Sequence, residues 1–222
     1  MNRPLQRHDL VWLDPAGDLD SYAVNPAYAS LVREWITRKN PLVVARQQRL
    51  ETPEEPSILL GFTMAPPLTR QRVSLQAPLR MVTRHTGPME LPETLPYAPE
   101  WRETLLQLIE ISEGIGVKVC VYGALSWQSA TACTYLTDSS DIDLLFYCNE
   151  IDTARRLCRA LAVFRDTGPR LDGEIISNSG WGTAWREFDK ASHSDAAAIL
   201  LAKSLYKVQL MSSTDFFDMR TT

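Results

Sequence analysis

The chain has 222 residues, a formal net charge of −4 and 45 % hydrophobic residues. This composition is typical of a globular protein of one or two domains and excludes a globally disordered chain. The negative charge argues against nonspecific nucleic-acid binding, which needs a basic surface, and no apolar stretch reaches the roughly 18 residues of a membrane span.

Features near the N-terminus and among the cysteines indicate a reduced, cytoplasmic protein. Residues 1–9 include basic side chains, but no apolar segment follows them, which argues against a secretory signal. The four cysteines form no Cys-x-x-Cys pair, and no histidine lies at metal-ligand spacing from them. A disulfide framework is not expected from this spacing.

Charge and proline content divide the chain into two parts. Residues 1–90 carry 11 basic and 9 acidic side chains, whereas residues 91–222 carry 12 and 18. Four prolines fall within residues 88–99, and each proline restricts its own backbone and that of the preceding residue. We therefore predict an extended connector at 86–99 between a domain at 1–88 and a second domain at 89–222.

The first domain is predicted to be a small α+β unit. Apolar and β-branched runs indicate strands at 8–13, 42–45, 57–62 and 70–75, and helical periodicity indicates a helix at 27–38. A basic run would suit electrostatic steering of an acidic partner, although an ordinary solvated face explains it as well. Its members are Arg70, Arg72, Arg80 and Arg84.

The second domain also mixes helices and strands, so the fold class predicted for the chain is α+β. Helices are expected from Glu100 to the glycines at 114 and 116, at 152–164 and at 196–203. Strands are expected at 117–122, 141–148, 171–177, 182–187 and 205–210.

Two aspartates form the strongest candidate for a chemical site. Asp141 and Asp143 are two residues apart on a predicted strand, so their side chains point to the same face. Two carboxylates on one face repel each other unless a cation or another partner neutralises them. Magnesium prefers such oxygen ligands, although a solvated strand edge is the alternative explanation.

A small-residue turn and a third acidic group extend this candidate. Gly123, Ala124 and Ser126 follow an apolar strand, and the exposed N–H groups of such a turn can hold phosphate oxygens. On a later strand, Asp172 and Glu174 share one face, and either one would complete a two-metal site. Glu174 is the preferred candidate because an apolar run follows it.

The combined motifs resemble one enzyme family. They are Val121-Tyr122-Gly123-Ala124-Leu125-Ser126-Trp127-Gln128, Ser140-Asp141-Ile142-Asp143-Leu144-Leu145, Leu171-Asp172-Gly173-Glu174 and Ala184-Trp185-Arg186-Glu187, with residues 7–13 and 41–46 near the start. Together they resemble malonate decarboxylase holo-acyl-carrier-protein synthase, also called phosphoribosyl-dephospho-CoA transferase. The resemblance spans most of the chain.

The resemblance implies a small N-terminal α+β domain, which recognises the donor or the carrier protein, followed by a nucleotidyltransferase-like catalytic domain with a mixed sheet flanked by helices. The implied enzyme transfers a phosphoribosyl-dephospho-CoA group from triphosphoribosyl-dephospho-CoA to a serine of the malonate decarboxylase acyl carrier protein and releases pyrophosphate. Neither nucleic acid nor a membrane is an expected partner.

Each candidate residue has an expected role in that reaction. Asp141, Asp143 and Glu174 are expected to be catalytic, and Asp141 and Asp143 to hold magnesium or manganese. Substrate contacts are expected from Gly123, Ala124, Ser126, Ser140, Arg186 and Lys203.

Two departures from the family pattern leave alternatives open. The family usually has Gly-Ser where this chain has Gly123-Ala124, and Thr-Gly where it has Thr131-Ala132. These changes put the loop conformation and the rate in question more than the reaction class. The alternatives are another metal-dependent nucleotidyltransferase and a non-catalytic module that binds a carrier protein.

Overall fold

The computed structural model describes residues 3–18, 21–48, 55–65, 71–164, 169–193 and 199–218. The chain forms two compact units, Met1–Pro88 and Met89–Thr222. Both contain helices and a sheet, so the α+β fold class is confirmed.

Within its described residues, the first unit contains one antiparallel six-stranded sheet and one α-helix. The strands run in the order β2-β5-β4-β3-β1-β6. Along β4 and β5, buried residues alternate with more exposed ones, which is the pattern of a sheet with one face in the core. The elements are β1 (Leu10–Leu13), β2 (Ala23–Val24), α1 (Ala29–Thr37), β3 (Leu42–Val44), β4 (Ser57–Thr63), β5 (Arg72–Pro78) and β6 (Val82–Thr86).

A buried polar cluster ties the start of this unit to its last strand. The Asp9 side chain is fully buried and lies 2.7 Å from Nε2 of His85 and 2.5 Å from Nη2 of Arg3. It also accepts a 2.8 Å hydrogen bond from the N–H of Gln6. These partners compensate for the loss of water around a buried carboxylate.

The predicted basic run has mixed surroundings. Arg80 pairs with Glu55, and the guanidinium of Arg84 lies 4.4 Å from the ring centre of Trp12. Arg70 lies outside the described residues. The stacked position of Arg84 shows that a basic side chain here also packs on the sheet surface.

The second unit contains five α-helices and a six-stranded sheet within the described residues. The elements are α2 (Arg102–Ile115), β7 (Lys118–Val121), α3 (Gly123–Thr131), β8 (Ile142–Tyr147), α4 (Ile151–Leu161), β9 (Leu171–Ile176), β10 (Gly182–Ala184), α5 (Trp185–Ser192), β11 (Ile199–Lys203), β12 (Val208–Ser212) and α6 (Ser213–Asp218). The strand order is β12-β11-β10-β9-β8-β7.

This second sheet is mixed, and its two faces differ. β8 and β9 are parallel, and every other neighbouring pair is antiparallel. One face packs against the helices and forms the main core, to which Leu144 and Phe146 contribute. The opposite face, which we call the open face, carries a small separate cluster of Cys120, Leu145 and Ile176, whose side chains are themselves buried.

The sequence predicts an extended connector at 86–99, but much of this proline-rich segment is helical. Residues Leu91–Tyr97 and Pro99–Trp101 form 3₁₀ helices, each with a proline in its first turn. Proline suits this position because its backbone angle is already helical and its missing N–H has no intrahelical acceptor. Leu91 and Thr94 are buried, so the segment packs into the second unit.

Two predictions for the C-terminal part of the chain are wrong, and one helix was not predicted. The strand predicted at 182–187 ends at Ala184. Helix α5 begins at the next residue, and its buried face includes Trp185 and Phe188. The helix predicted at 196–203 is strand β11 over its described part. Its residues alternate between exposed and buried, because pairing with β12 selects a two-residue period. Helix α6 follows β12 and gave no sequence signal.

Among the described residues, no helix combines the length and apolar composition needed to cross a bilayer.

Gly173 allows β8 and β9 to approach each other, and its replacement tests this pairing. A Cβ at Gly173 would overlap the backbone carbonyl oxygen of Leu144, and its φ of +156° disfavours other residues. Gly173→Ala should therefore lower the free energy of unfolding by about 2–4 kcal/mol. Urea denaturation followed by circular dichroism measures the change.

Gly114→Ala is the matched control, because this exposed residue of α2 has open space around its Cα. Alanine should raise the free energy of unfolding by about 0.5–1 kcal/mol here. Wild-type stability of Gly173→Ala would contradict the observed strand pairing.

Candidate active site

Three carboxylates lie on the open face where β8 and β9 run side by side. The parallel register pairs Asp143 with Asp172 and Leu145 with Glu174. Paired residues of neighbouring strands point to the same face, so all three acids share the face that also holds Leu145. The pairing thus brings together two strands that are separated by helix α4 in the sequence.

Asp143 lies against the backbone of Gly123. A Cβ on Gly123 would overlap the carboxylate of Asp143, and the Gly123 φ of +65° is a conformation that other residues rarely adopt. The N–H of Tyr122 donates a 3.1 Å hydrogen bond to the carbonyl oxygen of Asp143, which holds the two segments together. Glycine is therefore required at 123 both by the backbone turn and by the close approach of the carboxylate.

The small-residue turn predicted at Gly123–Ser126 is instead the first turn of helix α3. Gly123, which directly follows β7 and Tyr122, has a left-handed backbone. Residues 124–127 contain no proline or glycine, so helix α3 continues from this point. The N–H groups of a first helical turn have no intrahelical acceptor and carry partial positive charge. This end of α3, next to Asp143, is suited to an anion. Ser126 is buried within the helix.

Glu174 pairs with Lys203 across an intervening strand. The Lys203 Nζ lies 3.3 Å from Oε1 of Glu174. The strand between them contributes Gly182, the register partner of both Ile176 and Lys203. Because Gly182 has no side chain, the Lys203 side chain can cross β10 and place its ammonium group near the acids of β9.

The other predicted substrate contacts have structural partners. The Arg186 guanidinium donates a 3.1 Å hydrogen bond to the carbonyl oxygen of Leu171, immediately before Asp172. The hydroxyl of Ser140 is buried and accepts a 3.0 Å hydrogen bond from the N–H of Thr137. Arg186 thus fixes the start of β9, and Ser140 fixes the turn before Asp141. Asp141 itself lies 3.9 Å from Nε of Arg170.

Gln128 organises the loop between α3 and β8, a role that the sequence did not reveal. Its side-chain oxygen accepts hydrogen bonds of 2.9 and 3.0 Å from the N–H groups of Tyr135 and Leu136. Tyr135 is buried beside Trp127, and burial raises the pKa of Tyr135 to about 12. A glutamine inside a helix gives no sequence signal for such a function.

The acids fit magnesium as a pair rather than as a cage. Within the described part of the chain, no group of three or more His, Cys, Asp or Glu side chains is arranged to hold a metal ion. Magnesium is commonly bound by one or two carboxylates together with waters and substrate phosphates. Asp143, with Asp141 or Asp172, could supply such a pair of carboxylates, and the Lys203 ammonium group is paired with Glu174.

Comparisons with known proteins agree over nearly the whole chain. Residues 6–88 match the model of the phosphoribosyl-dephospho-CoA transferase MdcG N-terminal domain, and residues 90–214 match that of its C-terminal domain. A protein of Bradyrhizobium diazoefficiens named phosphoribosyl-dephospho-CoA transferase is 33 % identical over 97 % of this chain and 93 % of its own. A protein of Xanthomonas euvesicatoria with the same name is 32 % identical over 97 % and 98 %. No solved structure matches the chain.

Ala132, which ends α3, adopts a backbone conformation that suits glycine better. Its φ is +56°, and it is exposed. This left-handed conformation costs a residue with a Cβ about 1–2 kcal/mol, so Ala132→Gly should raise the free energy of unfolding by about 0.5–1 kcal/mol. The measurement is chemical denaturation.

The control is Ala130→Gly, which lies two residues earlier within the same helix. Glycine in a helix should lower the free energy of unfolding by about 1 kcal/mol. Equal destabilisation by both substitutions would show that Ala132 is not left-handed in solution.

Proposed function

Because the chain belongs to the phosphoribosyl-dephospho-CoA transferase family, we propose that it attaches the phosphoribosyl-dephospho-CoA group to a serine of the malonate decarboxylase acyl carrier protein. The donor is triphosphoribosyl-dephospho-CoA. In the reaction, the serine oxygen forms a bond to the α-phosphorus, the bond to the β-phosphate breaks, and pyrophosphate and the serine proton leave.

The observation that carries the proposal is the contact of Asp143 with Gly123 at the start of α3. It places a carboxylate beside a helix N-terminus, so one point of the open face offers both an oxygen ligand and anion-binding N–H groups. A triphosphate needs both kinds of group, since its oxygens bind N–H donors directly and bind carboxylates through a cation. Magnesium or manganese, when bound, would neutralise charge that develops on the transferred and leaving phosphates.

The acidic side chains and Lys203 have separate roles in the proposed reaction. Asp141 and Asp143 would hold the cation, and of the two further acids Asp172 lies nearer to them than Glu174 does, because Asp172 pairs with Asp143. Glu174 then serves as a positioning residue for Lys203, whose ammonium group contacts a donor phosphate. Such a reaction depends on positioning and charge stabilisation, so a covalent nucleophile on the enzyme is not needed.

Ala124 is compatible with this function. Serine at this position would add a hydroxyl contact, but the backbone N–H groups of the first turn of α3 remain. The change at Ala124 was the support for a non-catalytic module, and it removes neither the N–H groups nor the acids. Gly123, Asp141 and Asp143 are all present, which favours a catalytic protein. Comparing the CoA-derived donor with ATP distinguishes the proposed reaction from that of another nucleotidyltransferase.

Asp143→Asn should abolish transfer without unfolding the protein. The amide keeps the shape but loses the charge that binds the cation, so kcat should fall by at least about 100-fold. Intact-mass analysis of the purified apo carrier protein, incubated with donor and magnesium, measures transfer. Asp138→Asn, an exposed acid in the preceding loop, should transfer as wild type. Full activity of Asp143→Asn would contradict the site.

Lys203→Met should raise KM for the donor about ten- to hundredfold, because a charge-assisted contact contributes about 1.5–3 kcal/mol. Glu174→Gln should raise the same KM less and leave the magnesium requirement unchanged, because Glu174 acts through Lys203. Initial rates over a matrix of donor and magnesium concentrations separate the two effects. A raised magnesium requirement in Glu174→Gln alone would instead make Glu174 a metal ligand.

A further inference from the structure

Exposed apolar side chains concentrate on the hairpin of β11 and β12. Among the described residues, eight large hydrophobic side chains are exposed, and five of them belong to this hairpin. Single exposed hydrophobic residues are normal on a protein surface, but such a cluster marks an interaction site. These five residues, called the hairpin patch, are Ile199, Leu201, Tyr206, Val208 and Leu210.

The strand residues of the hairpin patch lie on the open face of the sheet. Leu201 pairs with Leu210, and Lys203 pairs with Val208, so these side chains point to one side. The alternating residues Leu200, Ala202 and Met211 are buried in the main core on the other side. Lys203 joins the two parts of the open face, because it borders the hairpin patch and also pairs with Glu174.

Little side-chain bulk separates the hairpin patch from the acids. Between β9 and β11, the open face of β10 presents Gly182 and Ala184. Strands of a sheet lie about 4.8 Å apart, so β11 lies about 14 Å from β8, and β12 lies about 19 Å from it. The side chains of β10 therefore form no ridge between the hairpin patch and the acids of β9.

We propose that the hairpin patch is the docking surface of the acceptor carrier protein, an inference that rests on the proposed function. The acceptor serine must reach the open face, because the acids and Lys203 lie there. A standard protein interface covers about 800 Å² on each partner, which is about 28 Å across. A protein centred near β10 therefore covers both the hairpin patch and the acids.

Charge defines the chemistry of this partner further. The exposed Lys207 lies in the turn between β11 and β12, whereas Lys203, at the edge of the patch, is paired with Glu174. An apolar centre with Lys207 beside it fits a partner that presents apolar side chains and a carboxylate next to them. The acceptor is thus expected to place its apolar surface and one carboxylate on the hairpin, and to present no excess of carboxylates where it covers Asp143, Asp172 and Glu174.

The test compares serine variants of exposed leucines and a valine. Leu210→Ser and, separately, Val208→Ser should raise KM for the apo carrier protein roughly tenfold and leave KM for the donor unchanged. Isothermal titration calorimetry with apo carrier protein should show an equal loss of affinity. Leu210 is 70 % exposed, so its replacement should not unfold the chain. The control is Leu106→Ser, a 43 % exposed leucine of α2, which should behave as wild type.

Other results would overturn the proposal in distinguishable ways. Unchanged carrier-protein KM and affinity in both hairpin variants would remove the docking surface and leave the proposed function intact. A raised donor KM would assign the hairpin patch to the donor. Conversion of a wild-type dimer to a monomer with unchanged transfer, measured by light scattering, would assign it to a second copy of the chain. Failure of the wild-type protein to modify or bind the carrier protein would overturn both proposals.

Discussion

The parallel pairing of β8 with β9 determines where the acidic candidate groups of the second unit lie relative to one another. It places Asp143 beside Asp172 and leaves Glu174 two pairs further along, opposite Leu145. Two carboxylates in register repel each other and weaken a sheet. The pairing nevertheless forms because the opposite faces of both strands are buried in the main core, and because Gly173 leaves room for the Leu144 carbonyl group.

Stability and chemistry are separated between the two faces of this sheet. The helix-covered face holds the main core, including Leu144, Phe146 and Ile175. The open face holds the acids, Lys203 and the hairpin patch, with only a small apolar cluster around Leu145. Alternate residues of a strand point to opposite faces. Charged residues on one face can therefore be substituted while the core on the other face keeps its packing.

Glycine residues let the charged groups of the open face approach the backbone and one another. Gly123 admits the Asp143 carboxylate to the start of α3, and Gly182 lets the Lys203 side chain cross to Glu174. In contrast, Ala132 retains a left-handed backbone although the family resemblance leads one to expect glycine there. The loop after α3 is instead held by Gln128, so its conformation does not depend on glycine alone.

The sequence by itself determined the family, the α+β class and the acidic motif around Asp141 and Asp143, because these depend on residue types at short spacings. Only the tertiary structure decided that Arg186 lies on a helix, that Lys203 lies on a strand and pairs with Glu174, and that Asp172 pairs with Asp143. The segment at 199–203 is apolar enough for either a helix or a strand, and pairing with β12 selected the strand. Strand register and long-range ion pairs arise from contacts between distant segments, which local sequence patterns do not specify.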